Sequence, residues 1–204
     1  MQGYILKVQK VRDEDCLVFI LSKDKLIKCY RFYGARHSVI TQGFKLDFEL
    51  VENGNFLPHL RGTMHLGFSW LFYRDRLLVW QNFMRLLYEH LRDVEDIDEF
   101  YYSLLELCSY KFEKQNPKRI IIEAYLDILE FEGRLHKDLR CFVCDEIVDS
   151  NLTLTRGFLP AHKRCIGKAT FDPKDIKTLF ETKKSSHMND FYIDQIYYIV
   201  LEGL

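Results

Sequence analysis

Two pairs of side chains with metal-ligand chemistry stand close together in the sequence: Cys141-Phe-Val-Cys144 and, after seventeen intervening residues, His162-Lys-Arg-Cys165. Two residues separate the ligands in each pair, so that one backbone turn can aim both donors at a single ion, with a thiolate sulfur about 2.3 Å away. Three thiolates and an imidazole complete a tetrahedron and leave no open position for a substrate, so the expected ion is one structural Zn2+. Gly157 and Pro160 supply turn chemistry for the return of the second pair. The competing reading, ordinary buried thiols beside a surface histidine, does not account for the doubled spacing, and His162 is the least secure of the four ligands. Zinc deaminases also combine Cys-x2-Cys with a histidine and an acid–base glutamate. Here the nearest imitation, His136-Lys-Asp138, carries aspartate, no proline precedes Cys141, and His136 is too near in sequence to come from a separate helix. A deaminase is therefore not expected.

A second segment has the composition of a nucleic-acid contact. Lys28-Cys-Tyr-Arg31-Phe-Tyr-Gly34-Ala-Arg36-His37 interleaves cations with aromatic rings and ends in a glycine-containing turn. Such cations hold phosphates, and such rings stack on bases at roughly 1–3 kcal/mol per base. An ordinary half-buried strand looks the same, with its aromatics inward and its charges outward, and on composition alone that reading is preferred. No phosphate-cradling loop, no Ser/His/Asp arrangement and no open metal site is legible, so covalent catalysis is not expected.

The elements that must position these residues are of two kinds. Five short β-branched or aromatic segments run from Gly3 to Val11, Cys16 to Leu21, Lys25 to Tyr33, Gly43 to Val51 and Thr63 to Phe72. Polar breaks such as Arg12-Asp-Glu-Asp, Ser22-Lys-Asp and Glu52-Asn-Gly-Asn separate them. Five strands without a long helix between them suit a small closed barrel, and an OB-fold is the economical choice. From Arg74 to Arg92, Leu77, Leu78, Trp80, Met84, Leu87 and Leu91 recur at helical spacing. Asp96-Ile-Asp-Glu99 resembles a capping box opening a second helix through Phe100, Leu104, Leu107 and Cys108. A third helix is expected from Pro117 to Phe131, ending near Gly133, and further helical material follows Asp172-Pro173 and Asn189. The expected class is α+β: an OB barrel over residues 1–73, a helical domain opening with 74–140, an inserted zinc module at 141–171, and helices over 172–204 that return to the helical domain.

A chain of 204 residues, 48% of them hydrophobic, can bury one substantial core or two small ones without disulfides. Cys16, Cys29 and Cys108 fit as small core residues. Lys7, Lys10 and Arg12 interrupt any signal-peptide pattern, and Asp194 and Gln195 interrupt the apolar run from Phe191 to Leu201, so a cytoplasmic protein without membrane insertion is expected. The net charge of −1 does not suggest a DNA partner, but its distribution does: residues 1–92 hold 14 Lys+Arg against 9 Asp+Glu, and 93–204 hold 15 against 21. One half is suited to phosphate and the other to a different partner.

The opening Gly3-Tyr-Ile-Leu, the run Val11-Arg-Asp-Glu-Asp-Cys-Leu-Val-Phe-Ile-Leu-Ser and the strand leading into Tyr33-Gly-Ala-Arg36 resemble the N-terminal OB domain of the RecO family. The order that follows, helices interrupted by a zinc module, is similar as well, so the resemblance covers nearly the whole chain. It implies a bacterial repair and recombination mediator, associated with the nucleoid during repair, that binds single- and double-stranded DNA. Such a protein anneals complementary strands, even those coated by single-strand-binding protein, and acts with RecR to load RecA. The resemblance assigns DNA contact to Lys28, Arg31, Arg36 and His37. Two departures stand out: His162 occupies a ligand position that is commonly cysteine, and His37 stands where a further arginine or lysine is expected, which would weaken DNA binding or make it pH-dependent. Two other classes are carried forward. A zinc-containing transcriptional regulator would need an exposed recognition helix, which the broad apolar stripe of Arg74 to Arg92 does not offer. An OB-fold adaptor would bind protein in place of DNA.

Overall fold

The computed structural model describes all residues from 1 to 204, in two compact units, Met1–Lys114 and Gln115–Leu204. In the first unit, β1 (Gln2–Lys10), β2 (Cys16–Leu21), β3 (Leu26–Arg31), β4 (Lys45–Asn53) and β5 (Phe56–His65) close into a barrel in the order β1-β2-β3-β5-β4. Neighbours are antiparallel except β3 and β5, which meet in parallel at Tyr30↔His59, and β4 closes on β1 through Gly3↔Leu46. This is the strand order of the expected OB-fold, which leaves no long sheet edge open. Ile5, Val18, Ile20, Cys29, Leu46, Phe48 and Leu60 fill the interior, and Cys16, Cys29 and Cys108 are all buried, as their sequence context suggested.

The fifth strand lies seven residues earlier than expected. β4 turns directly into β5 through Gly54-Asn55, with Asn53 opposite Phe56 and Gly54 at φ 57, the left-handed conformation that a two-residue hairpin requires. Pro58 and Gly62 lie within β5, and its register with β4 slips between Asp47↔Met64 and Glu49↔Arg61, a bulge that breaks the alternation a sequence reading depends on. Ser69–Phe72 is a turn of 3-10 helix that buries Trp70, not a strand.

Two helices complete this unit: α1 (Arg74–Leu91) and α2 (Glu99–Lys111). α1 lies on β1, and Trp80 anchors it, its indole N–H donating to the Gly43 carbonyl at 2.8 Å. The Tyr4 hydroxyl donates to Glu106 of α2 at 2.6 Å, and Lys45 pairs with the same carboxylate at 2.8 Å. Trp70, Trp80 and Phe112 form one aromatic cluster, with ring centroids 4.9–5.4 Å apart. These contacts place α1 and α2 with the barrel, so the stretch read as one helical domain over 74–140 divides at Lys114/Gln115. α2 also starts later than expected. Asp98, not Asp96, is its N-cap, accepting from the Phe100 N–H at 2.8 Å, while Ile97 is buried just before it.

The second unit contains α3 (Pro117–Phe131), the hairpin β6 (Leu152–Leu154) and β7 (Pro160–His162), the single turn α4 (Lys163–Ile166), α5 (Pro173–Thr182) and α6 (Asp190–Val200). α3 has the bounds its periodicity predicts, because Asn116 caps it and Pro117 tolerates the first turn. α3 packs on α6, with Lys118 and Asp194 paired at 2.7 Å. Phe158, fully buried beyond β6, sits 4.6 Å from the Tyr125 ring and 6.0 Å from Phe180, tying the hairpin to α3 and α5.

Candidate metal centre and nucleic-acid interface

Local structure brings all four expected metal ligands together. The turn after Cys141 is closed by Asp145 N–H donating to the Cys141 carbonyl and Cys141 N–H donating to Glu146, each at 2.8 Å. Phe142 N–H donates to the Pro160 carbonyl at 3.0 Å, which fastens this turn to β7. His162 ends β7 and Cys165 follows on α4, so the hairpin carries the second pair to the first. The four ligand atoms all lie within 4.8 Å of one another, and Cys144 Sγ is 3.4 Å from His162 Nδ1. A tetrahedral ion with bonds of about 2.0–2.3 Å requires ligand separations of roughly 3.5–3.8 Å, so the donor set fits a metal with little movement. His162, the least secure ligand in the sequence, stands in place with its Nδ1 toward the cluster.

The electrostatics suit thiolate ligation. Burial opposes ionisation of Cys141, but the N–H groups of Cys144, His162 and Val143 and the His162 ring outweigh it and hold the thiol down to about 6. Cys165 shifts the other way, raised by burial and then by its neighbours Cys141 and Cys144. Four such ligands could hold a soft divalent cation, with no position left over for catalysis.

The four residues expected to meet DNA stand in different local settings. Lys28 is exposed on β3, but its ammonium lies 5.8 Å from the Phe19 ring, on the side of β2 that meets Tyr88 of α1. Arg36 is exposed, ion-paired with Glu14 and 5.4 Å from the Tyr33 ring. Arg31 and His37 do converge: with Phe32, Tyr33, Leu60 and Arg61 they line a cavity of about 320 Å³ at the mouth of the barrel. Arg31 donates to the Leu60 carbonyl at 2.8 Å, and its Nε is buried without a partner. Burial and then the neighbouring Arg61 charge pull its pKa down, the mark of two cations held together with no carboxylate lining the cavity between them. A second cavity of about 330 Å³ adjoins it across Phe32 and is lined by Tyr30, Asn53, Phe56, Leu57 and His59. Phe32 and Phe56 are 44% and 77% exposed, enough to offer ring faces to a ligand. Arg61, Phe56 and His59 all lie on β5, outside or at odds with the strand expected over Thr63 to Phe72; the Gly54-Asn55 turn is the sequence signal that marks them.

Together these features define an OB-barrel protein with attached helices and a Cys3His metal-type centre. Residues 1–71, which span the whole barrel, match the family model described as RecO N terminal, so this part of the chain is RecO-like. No curated protein sequence matches the chain closely enough to count as a relative. No helix is long and apolar enough to cross a membrane.

Proposed function

We propose that this chain is a non-catalytic mediator of DNA repair and homologous recombination that binds single- and double-stranded DNA, anneals complementary strands and assists RecA loading together with RecR. Single-strand-binding protein would be met on the coated strands, and the bacterial cytoplasm would be the setting. The observation that carries this reading is the RecO-like barrel whose mouth sets Arg31 and Arg61 beside exposed Phe32 and Phe56. Two DNA backbones repel each other, and a protein that neutralises both lowers the cost of bringing them together by releasing counterions. Cations at the mouth would hold phosphate while the neighbouring rings stack on unpaired bases. The ion at Cys141, Cys144, His162 and Cys165 would be Zn2+, which in such a closed ligand set holds structure and leaves chemistry to no one side chain. A transcriptional regulator is disfavoured because α1, the longest helix and the one with the most arginines, buries Val79, Trp80, Phe83, Met84 and Leu87.

Binding of a labelled single-stranded oligonucleotide, followed by annealing to its complement at two salt concentrations, tests the proposal with Arg31→Glu/Arg61→Glu as the comparison. The natural chain should accelerate annealing in a salt-sensitive way. The double variant should bind at least roughly tenfold more weakly, with a salt slope shallower by about two phosphate contacts. Unchanged binding by a folded variant would reject the proposal and leave the barrel as a protein-binding adaptor.

A further inference from the structure

The Cys3His cluster has a charged pair on its solvent-facing side. Glu146 stands two residues after Cys144, and Arg164 stands between His162 and Cys165, so the two turns that carry the four donors also carry one anion and one cation. The pair is closed, Arg164 Nη2 to Glu146 Oε2 at 2.5 Å, and the same Oε2 lies 3.8 Å from Cys144 Sγ. The Arg164 guanidinium also hydrogen-bonds to the sulfurs of Cys144 and Cys165. The Cys144 bond first, the Glu146 charge second and the Cys165 bond after them raise its pKa above the ordinary value. Arg140, next to Cys141 in sequence, is instead turned to Asp138 and Asp145.

Cys141 is fully buried while Cys144 is exposed, so solvent reaches the donor set on the side where this pair lies. Glu146, His162 and Arg164 there border a cavity of about 800 Å³. Three thiolates around a divalent ion leave one negative charge in excess, and the imidazole offsets none of it. A carboxylate this close to one of the sulfurs adds repulsion unless a cation stands between them. Arg164 is that cation, and its fork can reach a carboxylate and a thiolate at once, which a single ammonium does less well.

We infer that Arg164 is a positioning residue of the metal centre: it bridges Glu146 to the Cys144 and Cys165 sulfurs, offsets the excess charge of the ligated thiolates and slows loss of the ion into the open cavity. The inference rests on the metal reading above. Outer partners of this kind orient the ligands and set how tightly they hold, without touching the ion.

The test uses the full chain and Zn2+ in competition with a chromophoric chelator near neutral pH, with the rate of ion loss followed in excess chelator. Arg164→Ala should hold Zn2+ roughly 10- to 100-fold more weakly and release it faster. Arg164→Lys, which keeps the charge without the fork, should fall between the two. Arg164→Ala/Glu146→Gln should recover about twofold to fivefold of the lost affinity, because the unbridged carboxylate is gone; a merely structural role for Arg164 predicts no recovery. Arg164 is 70% exposed, so circular dichroism of the metal-free variants should match the natural chain, and Arg164→Gln serves if the alanine variant misfolds. Zn2+ affinity within twofold of the natural chain in folded Arg164→Ala or Arg164→Gln, or no recovery in the double variant, would overturn the inference. A natural chain that takes up no Zn2+ would reject the metal reading and the inference with it, so the two failures are distinguishable.

Discussion

Cys144 is exposed, so replacing its sulfur with oxygen disturbs little packing and isolates its part in metal binding. Cys144→Ser should reduce the metal from one ion per chain to none by mass spectrometry and lower the melting temperature of the second unit, because ligation energy there is folding energy. His162→Cys should keep the ion, since a fourth thiolate preserves the tetrahedral donor set. Glu130 allows a pH test. Lys137 and then Lys183 donate to its carboxylate and hold it down to about 2, from an ordinary value of 4.5. A depressed folded-state pKa contributes stability that is fully present above about 4.5 and is lost as pH falls toward 2. Glu130→Gln should therefore be slightly less stable than the natural chain near neutrality and converge with it in acid; the effect is small because the side chain is 38% exposed and screened. Melting curves from pH 7 to 2 would show a constant gap if the pairing contributes nothing.

Among the elements, the contact between α1 and the barrel depends on one close approach. Gly43 has φ 91, and a Cβ there would fall 2.7 Å from the Trp80 ring. Gly43→Ala should cost roughly 1–3 kcal/mol in denaturant unfolding, from backbone strain together with displacement of the indole. Trp80→Ala, which also abandons the hydrogen bond to Gly43, should cost about 3–5 kcal/mol. The β4–β5 hairpin separates stability from binding. Phe56 at its tip is 77% exposed, so Phe56→Ala should leave the unfolding midpoint nearly unchanged. If the ring stacks on a base, the same change should weaken single-strand binding by roughly 1–3 kcal/mol, and equal affinities would rule that stacking out.

For the molecule as a whole, each compact unit has its own buried core. A fragment of residues 1–114 should therefore unfold cooperatively and keep single-strand binding after chelation of the metal, whose ligands all lie in the other unit. Circular dichroism with denaturant and oligonucleotide anisotropy would check both, and a fragment without a cooperative transition would show that the first unit depends on the second. The formal charge of −1 for the whole chain has little bearing on DNA binding, since local pairing decides which cations are available. Arg36 is engaged by Glu14, whereas Arg31 and Arg61 face each other with no lining carboxylate.

The Cys3His cluster, the caps and bounds of α3, and the first four strands were legible because each depends on spacing within a few residues: two between paired candidate ligands, alternation in a strand, Asn-Pro at a helix start. The resemblance to the RecO barrel was legible for the same reason, being carried by contiguous strand segments. β5 was not, because Pro58 and the bulge at Gly62 interrupt its alternation, and only closure against β3 and β4 makes it a strand. Nor was the cavity shared by Arg31 and Arg61: the two are thirty residues apart and meet because β3 and β5 run parallel to close the barrel. Arg134 and Arg156 likewise share a cavity only because the buried Phe158 holds their turn against α3 and α5. Short-range spacing determines which groups a turn or helix can present, whereas tertiary closure decides which of them face one another and which are neutralised.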